Sequence, residues 1–288
     1  MPQSDSVTLP NFLIVGAQKA GTTSLYEYLR GHPQVFMPAP KELNFFVETF
    51  AWHRGLDWYA SHFEEAGDAI AVGEASPTYS MYPSLPGVPE RIASVLPDVR
   101  LIYVIRNPIE RMRSAYVNAL ATGAEVRPMR EALVCDARYL CASSYALQIE
   151  HYHRFIDPSR MLILVSEDLR NDREATLRRV FEFLGIKPDW RPPNVAAEYH
   201  PMNGKRRPRK TARAVGDVIV RTRLRLRPGV WSEPTLPPWV WQALTVPIRP
   251  EDTALDAETR DQLTELLQHD IRALKQYLPP DFDGWQLV

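Results

Sequence analysis

Phe12 to Leu25 reads FLIVGAQKAGTTSL. Four apolar residues lead into a turn bounded by Gly16 and Gly21, and hydroxyls follow at Thr22, Thr23 and Ser24. Backbone N–H groups in such a turn, the hydroxyls behind it and the Lys19 ammonium can together surround a phosphate-like anion. A P-loop nucleotide triphosphatase carries lysine directly after the second glycine, but that position here holds Thr22. Two spaced glycines also occur in plain strand–turn–helix connections, so the signal is carried by Lys19 and the hydroxyls between Ala20 and Leu25.

A second group of residues follows the run VRLIYVIR. Arg106 ends that run, Asn107-Pro108 opens a helix, and Ser114 lies about two turns further on. An arginine fork and a helical serine can converge on one phosphate. Taken alone, the plainer reading is an arginine paired with a carboxylate and an ordinary helix serine. Taken with the glycine loop, the pair suits a nucleotide carrying phosphates at both ends.

The elements that must position these groups alternate. Apolar runs at 12–15, 69–74, 99–106 and 161–166 predict buried strands. Helical patterns occupy 23–30, 55–63, 89–96, 108–120, 143–156 and 171–185. This order predicts an α/β fold, a single domain with a central parallel β-sheet flanked by helices and a P-loop-like loop after the first strand. Such sheets bind ligands at the carboxyl ends of their strands. There stand Lys19 and Gly21, then Glu74, then Arg106, then Glu167 and Asp168.

Beyond about residue 190 the composition changes. Proline is frequent, and Asn203 to Arg227 hold ten Lys or Arg against one Asp. A last helix is expected from about Asp256 to Tyr277. The chain therefore divides into an α/β core at 10–200, a basic, Pro/Trp-rich insert at 203–250 and a C-terminal helix and tail at 255–288.

The bulk numbers are those of an ordinary globular protein: 288 residues, 45% hydrophobic, 24% charged, net charge −1. Two cysteines, Cys135 and Cys141, are too few for a disulfide framework or a four-cysteine zinc site, and reduced thiols are expected. None of the seven histidines shows metal-ligand spacing with them, so no metal is expected. The N-terminal stretch has no basic region followed by an apolar run, and no stretch reaches membrane-spanning length. A cytoplasmic location is the expectation.

The combination of GAQKAGTTSL, KELNFF, GEASPTY and RNPIERMRSAY resembles the sulfotransferase family that uses 3′-phosphoadenosine 5′-phosphosulfate (PAPS), in particular its heparan-sulfate type and bacterial relatives. LILVSEDL, ATLRRVFEFLGI and HDIRALKQYL are similar to the bacterial members. The resemblance covers about 10–200 and 255–288. It implies that the loop from Lys19 through Ala20, Gly21, Thr22 and Thr23 to Ser24 holds the 5′-phosphosulfate. It further implies that Arg106 and Ser114 hold the 3′-phosphate, and that Lys19 stabilises charge on the leaving phosphate without a metal. It makes Glu42, in KELNFF, the base for the acceptor hydroxyl. Without the resemblance, Glu42 reads as a solvated loop acid beside Lys41.

The resemblance also places Gly204, Lys205 and Arg206 in a basic loop that closes over PAPS, although their order departs from the family's usual one. Glu74 either shapes the pocket or meets the acceptor. His53 lies near the acceptor side by its order along the chain. The family often carries a lysine just after the Glu74 position; Ala75 stands there, which weakens the implication of a heparan-type acceptor. The implied reaction is sulfuryl transfer from PAPS to a hydroxyl of a carbohydrate or glycolipid, with a small-molecule or carrier-bound alcohol as the other acceptor class. Segment 205–227 is a solvated basic helix, a surface for an anionic glycan or membrane that would make the protein membrane-peripheral, or a nucleic-acid patch. No nucleic-acid motif accompanies it, so no nucleic-acid partner is expected. Two rival functions remain: a P-loop kinase or NTPase, which requires lysine at position 22, and a binding protein that works through the basic segment alone.

Overall fold

Aliphatic and β-branched runs buried on both faces form parallel strands, because each face must be covered by helices. The computed structural model describes residues 8–192, 205–209 and 238–288. Its main sheet has five parallel strands: β1 (Phe12–Gly16), β2 (Val35–Phe36), β3 (Ala71–Ala75), β4 (Arg100–Ile105) and β5 (Met161–Val165). Four of these match the apolar runs. The edge strand β2 is two residues long, too short to leave a periodic signal.

The helices are α1 (Thr22–Arg30), α2 (Gly55–Ala60), α3 (Val88–Val95), α4 (Pro108–Thr122), α5 (Met129–Cys135), α6 (Ala137–Cys141), α7 (Tyr145–Tyr152), α8 (Ser166–Asn171), α9 (Arg173–Leu184), α10 (Pro238–Leu244) and α11 (Ala257–Leu274). The sequence expectation extends α2 and α7 too far and omits the short helices α5, α6, α8 and α10. Ser166, expected at the end of a strand, is the first residue of α8. Among the described residues no helix is long and apolar enough to cross a membrane.

The strand order is β2-β3-β1-β4-β5. From β1 the chain runs to one side of the sheet, returns to β3, and crosses to β4 on β1's other flank. The order therefore reverses between β1 and β4. At such a switch point the loops leaving neighbouring carboxyl ends diverge and open a crevice. The loop after β1 and the turn after β4 border it.

The described residues group into two compact units. The first (Met1–Pro108, Cys141–His200 and Leu267–Val288) contains the sheet and its core. Leu25 and Leu29 of α1, Ile92 of α3, Ile149 of α7, and Val180 and Phe181 of α9 are buried in that core with β1 and β4. The second unit spans Ile109–Leu140 and Pro201–Leu266. Within it, β6 (Arg206–Pro208) pairs antiparallel with β7 (Thr245–Pro247). The Arg127 guanidinium there bridges Glu125 and Asp136 at 2.7 and 2.8 Å, and hydrogen bonds from Arg127 hold the Glu125 carboxyl down at about 2.

Strand register in the first unit is set by volume as well as by hydrogen bonds. Phe12 of β1 stands opposite Gly73 of β3, and a Cβ at 73 would lie 2.4 Å from the Phe12 ring. Gly73→Ala is therefore expected to destabilise the protein by about 1–3 kcal/mol through overpacking, read as a lower urea midpoint with an unchanged slope.

Candidate functional site

A strand that ends in glycine and feeds straight into a helix leaves amide hydrogens without intrahelical partners. In α1 the first intrahelical bond is Leu25 N–H to the Gly21 carbonyl, at 3.2 Å. The amides of Thr22, Thr23 and Ser24 precede it. No side chain caps this end and no carboxylate lies in the first turn. Lys19 and Gly21 both take left-handed conformations, with φ of 71° and 99°, which curl the loop ahead of the helix. This donor set, with the partial positive charge of the helix start, fits an anion.

Not every residue of the loop is a donor. Ala20 is expected among the anion contacts, but its side chain is buried and its N–H is bonded to the Ala17 carbonyl at 3.1 Å. It shapes the loop instead. Thr22 is also buried, whereas Thr23 and Ser24 are half-buried.

Arg106 follows β4 directly. Its Nη1 donates to the Lys19 carbonyl at 3.4 Å, so the turn after β4 touches the loop after β1 across the switch point. Ser114 is buried in α4, in the second unit.

Glu42 sits in a loop whose shape is heavily determined. Glu42 and Asn44 both have positive φ, 67° and 53°, a conformation costing on the order of 1–3 kcal/mol for a non-glycine residue. Bonds on every side hold it. Glu42 N–H donates to the Ala75 carbonyl at 3.1 Å, Asn44 N–H to Ser76 Oγ at 3.0 Å, and Asn44 Nδ2 to the Glu42 carbonyl at 2.8 Å. Arg91 of α3 donates to the Phe46 carbonyl at 2.8 Å. The Glu42 carboxylate is 47% exposed and meets Lys41 Nζ at 2.6 Å.

The base of this loop rests on Glu74. It is 1% exposed and enclosed by its own hydrogen-bond partners. Its Oε1 accepts from Tyr59 at 3.0 Å and Tyr79 at 2.6 Å, and its Oε2 from Ser76 at 2.7 Å. Phe45 stacks on Tyr59 with centroids 4.3 Å apart, and Phe46 meets Tyr79 edge-on at 5.6 Å. One buried carboxylate thus orients two phenols, and the phenols seat the two phenylalanines that follow Glu42. Tyr59, Tyr79, Ser76 and Asn44 escape a reading of the sequence as separate motifs. The signal for them is that ELNFF and GEASPTYS each pair an acid with aromatics.

The remaining expectations divide. Ala75, at the position where the family often carries lysine, is a buried strand residue. His53 is exposed on the turn Trp52–Arg54. Gly204 and most of 203–227 lie outside the described residues. Lys205 donates to Asn118 Oδ1 at 3.1 Å, and Arg206 lies in β6 with its guanidinium on Thr245 at 2.8 and 3.0 Å.

Residues 9–200 match the family model described as the sulfotransferase domain. Heparan sulfate glucosamine 3-O-sulfotransferase 3A1 of Mus musculus is 32% identical over 192 residues, covering 63% of this chain and 47% of the relative. Bifunctional heparan sulfate N-deacetylase/N-sulfotransferase 3 of Homo sapiens is 30% identical over 203 residues, covering 63% of this chain and 23% of the relative. The chain thus spans about half the length of the first and about a quarter of the second. A solved sulfotransferase from Alicyclobacillus acidocaldarius superimposes with a TM-score of 0.70 at 23% identity, covering 97% of this chain and all of the other, a likeness of fold.

Burial raises the Glu74 pKa above the usual carboxylate value, against the opposing pull of the Tyr79, Ser76 and Tyr59 hydroxyls. The folded state therefore holds this proton more tightly than the unfolded chain. The stability gained is complete below about pH 4.3 and is lost as pH rises through the raised pKa. Glu74→Gln, which stays neutral, is expected to be less stable than wild type by on the order of 1–2 kcal/mol at low pH. That gap should narrow from pH 4.5 to pH 8 in thermal unfolding, and a gap that widens would contradict the raised pKa.

Proposed function

The chain belongs to the sulfotransferase domain family, and from that premise we propose that it transfers a sulfuryl group from PAPS to a carbohydrate hydroxyl. The observation that carries the donor half is the meeting of two cationic elements at the sheet's switch point: the Lys19 loop with its open helix start, and Arg106, bonded to that loop through the Lys19 carbonyl. Lys19, Gly21, Thr22, Thr23 and Ser24 would hold the 5′ end of the nucleotide, with Thr22 acting through its amide. Arg106 would take the 3′-phosphate; the family resemblance assigns Ser114 to the same group and Gly204, Lys205 and Arg206 to a loop over PAPS. When bound, PAPS supplies the sulfuryl group, and adenosine 3′,5′-bisphosphate is the other product.

The side chains then divide the work. Lys19 places its charge in the loop, where negative charge grows on the leaving phosphate. Glu42 accepts the acceptor's proton at its carboxylate, which is open to solvent on one side and held by Lys41 on the other. Burying Phe45 and Phe46 and fixing the backbone at Asn44 keep that carboxylate from wandering. A P-loop kinase reading would need a lysine at position 22, where the buried Thr22 stands.

A carbohydrate acceptor is supported by the named activities of the heparan sulfate relatives. Ala75 counts against an acceptor bound in the heparan-type manner, so an acceptor screen should span neutral and acidic sugars, a glycolipid and a simple alcohol.

Calorimetric titration with adenosine 3′,5′-bisphosphate in the absence of magnesium should show binding to wild type, weakened about 10- to 100-fold in Arg106→Ala by loss of a charge-assisted contact. No binding by wild type would overturn the proposal. Glu42→Gln should keep bisphosphate affinity within about two-fold while transfer falls by about 10²–10⁴; equal loss of both would remove Glu42 as the base.

A further inference from the structure

The turn that follows β5 meets the turn after β4 and has no part in the proposed transfer. The β4–β5 ladder runs in register from Leu101↔Met161 to Ile105↔Val165 and stops there, because α8 begins at Ser166. In an uninterrupted parallel pair, the next amides of β4 would find carbonyls on β5. Once the chain coils into α8, those carbonyls turn into the helix, and an inward-facing amide at Asn107 would lose its acceptor at a cost. The Glu167 side chain fills that place: Asn107 N–H donates to Glu167 Oε1 at 3.1 Å. The ladder is thus extended beyond Ile105 by a carboxylate. Its other oxygen, Oε2, is buried and has no hydrogen-bond partner among the described residues.

A buried carboxylate oxygen without a donor is unfavourable by itself, so the surrounding packing alone does not account for an acid at this position. The acceptor Oε1 does. Asn107 is the residue after Arg106, and its amide fixes the backbone from which the Arg106 guanidinium reaches the Lys19 carbonyl. Ser166, one residue before Glu167, abuts the phosphate loop from the same turn: a Cβ on Gly21 would lie 3.4 Å from Ser166 Oγ. The Ser166–Glu167 pair therefore touches both anion-binding elements, one through packing and the other through a hydrogen bond.

The geometry points to Glu167 as a positioning residue that sets the Arg106–Asn107 turn, and through it the site's preference for nucleotides bearing a 3′-phosphate. This rests on the reading of Arg106 as the 3′-phosphate contact. The side chain acts through backbone geometry, so its effect is confined to ligands that Arg106 grips.

The test compares two probes, adenosine 3′,5′-bisphosphate and adenosine 5′-phosphate, titrated into the full chain of wild type, Glu167→Ala, Glu167→Asp and Glu167→Gln. Wild type should prefer the bisphosphate. The Ala variant, which removes the acceptor, and the Asp variant, which withdraws it by one methylene, should lose about ten-fold in bisphosphate affinity, about one hydrogen bond's worth. Both should hold the monophosphate within about two-fold of wild type. The Gln variant, which keeps an acceptor oxygen for Asn107, should retain the wild-type preference. If the Ala variant does not fold, the Asp and Gln pair carries the same comparison. An unchanged preference in the Asp variant would overturn the inference and leave the Arg106 assignment standing. Equal losses for both probes would overturn it too, since Glu167 would then support the whole loop and not Arg106. Failure of wild type to prefer the bisphosphate would remove the Arg106 assignment and this inference together.

Discussion

The interaction on which the rest of the first unit's site depends is the seating of Glu74 beneath three hydroxyls. A carboxylate removed from water is costly unless its oxygens are satisfied, and here Tyr59, Tyr79 and Ser76 satisfy them from three directions. Each of those groups has a second task. Tyr59 carries Phe45, Tyr79 carries Phe46, and the Ser76 hydroxyl accepts from the Asn44 amide. The Glu42 loop is therefore shaped from below by a buried group. The same buried network explains why the loop can hold two non-glycine residues at positive φ: the surrounding bonds over-determine a conformation the backbone would not choose.

The stretch after β3 also ties this loop to the one that follows β1. The turn Pro77–Ser80 places Thr78 against the Asn44 side chain at 2.5 Å. Ser80 lies so close to Gly16 that a Cβ there would approach its Oγ to 1.9 Å. The glycine that ends β1 is thus required by its neighbour as much as by the anion loop it precedes. The Glu42 loop and the loop after β1 thus both pack on one short segment of chain, so their relative placement is decided within a few residues. Such rigidity suits a reaction that depends on two groups being aligned before any bond changes.

Across the switch point, β4 and β5 divide the remaining work. The ladder between them brings Arg106 level with Ser166, and the early start of α8 replaces a main-chain acceptor with the Glu167 carboxylate. Local helix formation in SEDLRN and the geometry of the neighbouring arginine turn are therefore one problem with one solution. The second unit, taken by itself, holds most of α4, with Ser114, and the β6–β7 pair, where Arg206 is held by Thr245.

The sequence by itself determined the parallel sheet, because long apolar runs alternating with helical periods admit few other architectures. It also determined the turn from β1 into α1, because Gly16, Lys19 and Gly21 lie close together and their types favour the backbone geometry found there. Glu42 and Arg106 were legible by resemblance of short motifs. Tertiary structure alone decided the role of Glu74: an acid at a strand end reads the same whether it faces a ligand or the core, and only the approach of Tyr59 and Tyr79 separates the two. It decided likewise that the Ala20 amide is bonded within the loop, that Arg206 belongs to a strand, and that β2 exists at all. Each of those facts depends on partners distant in sequence, and hydrogen bonds and packing over such separations leave no periodic trace along the chain.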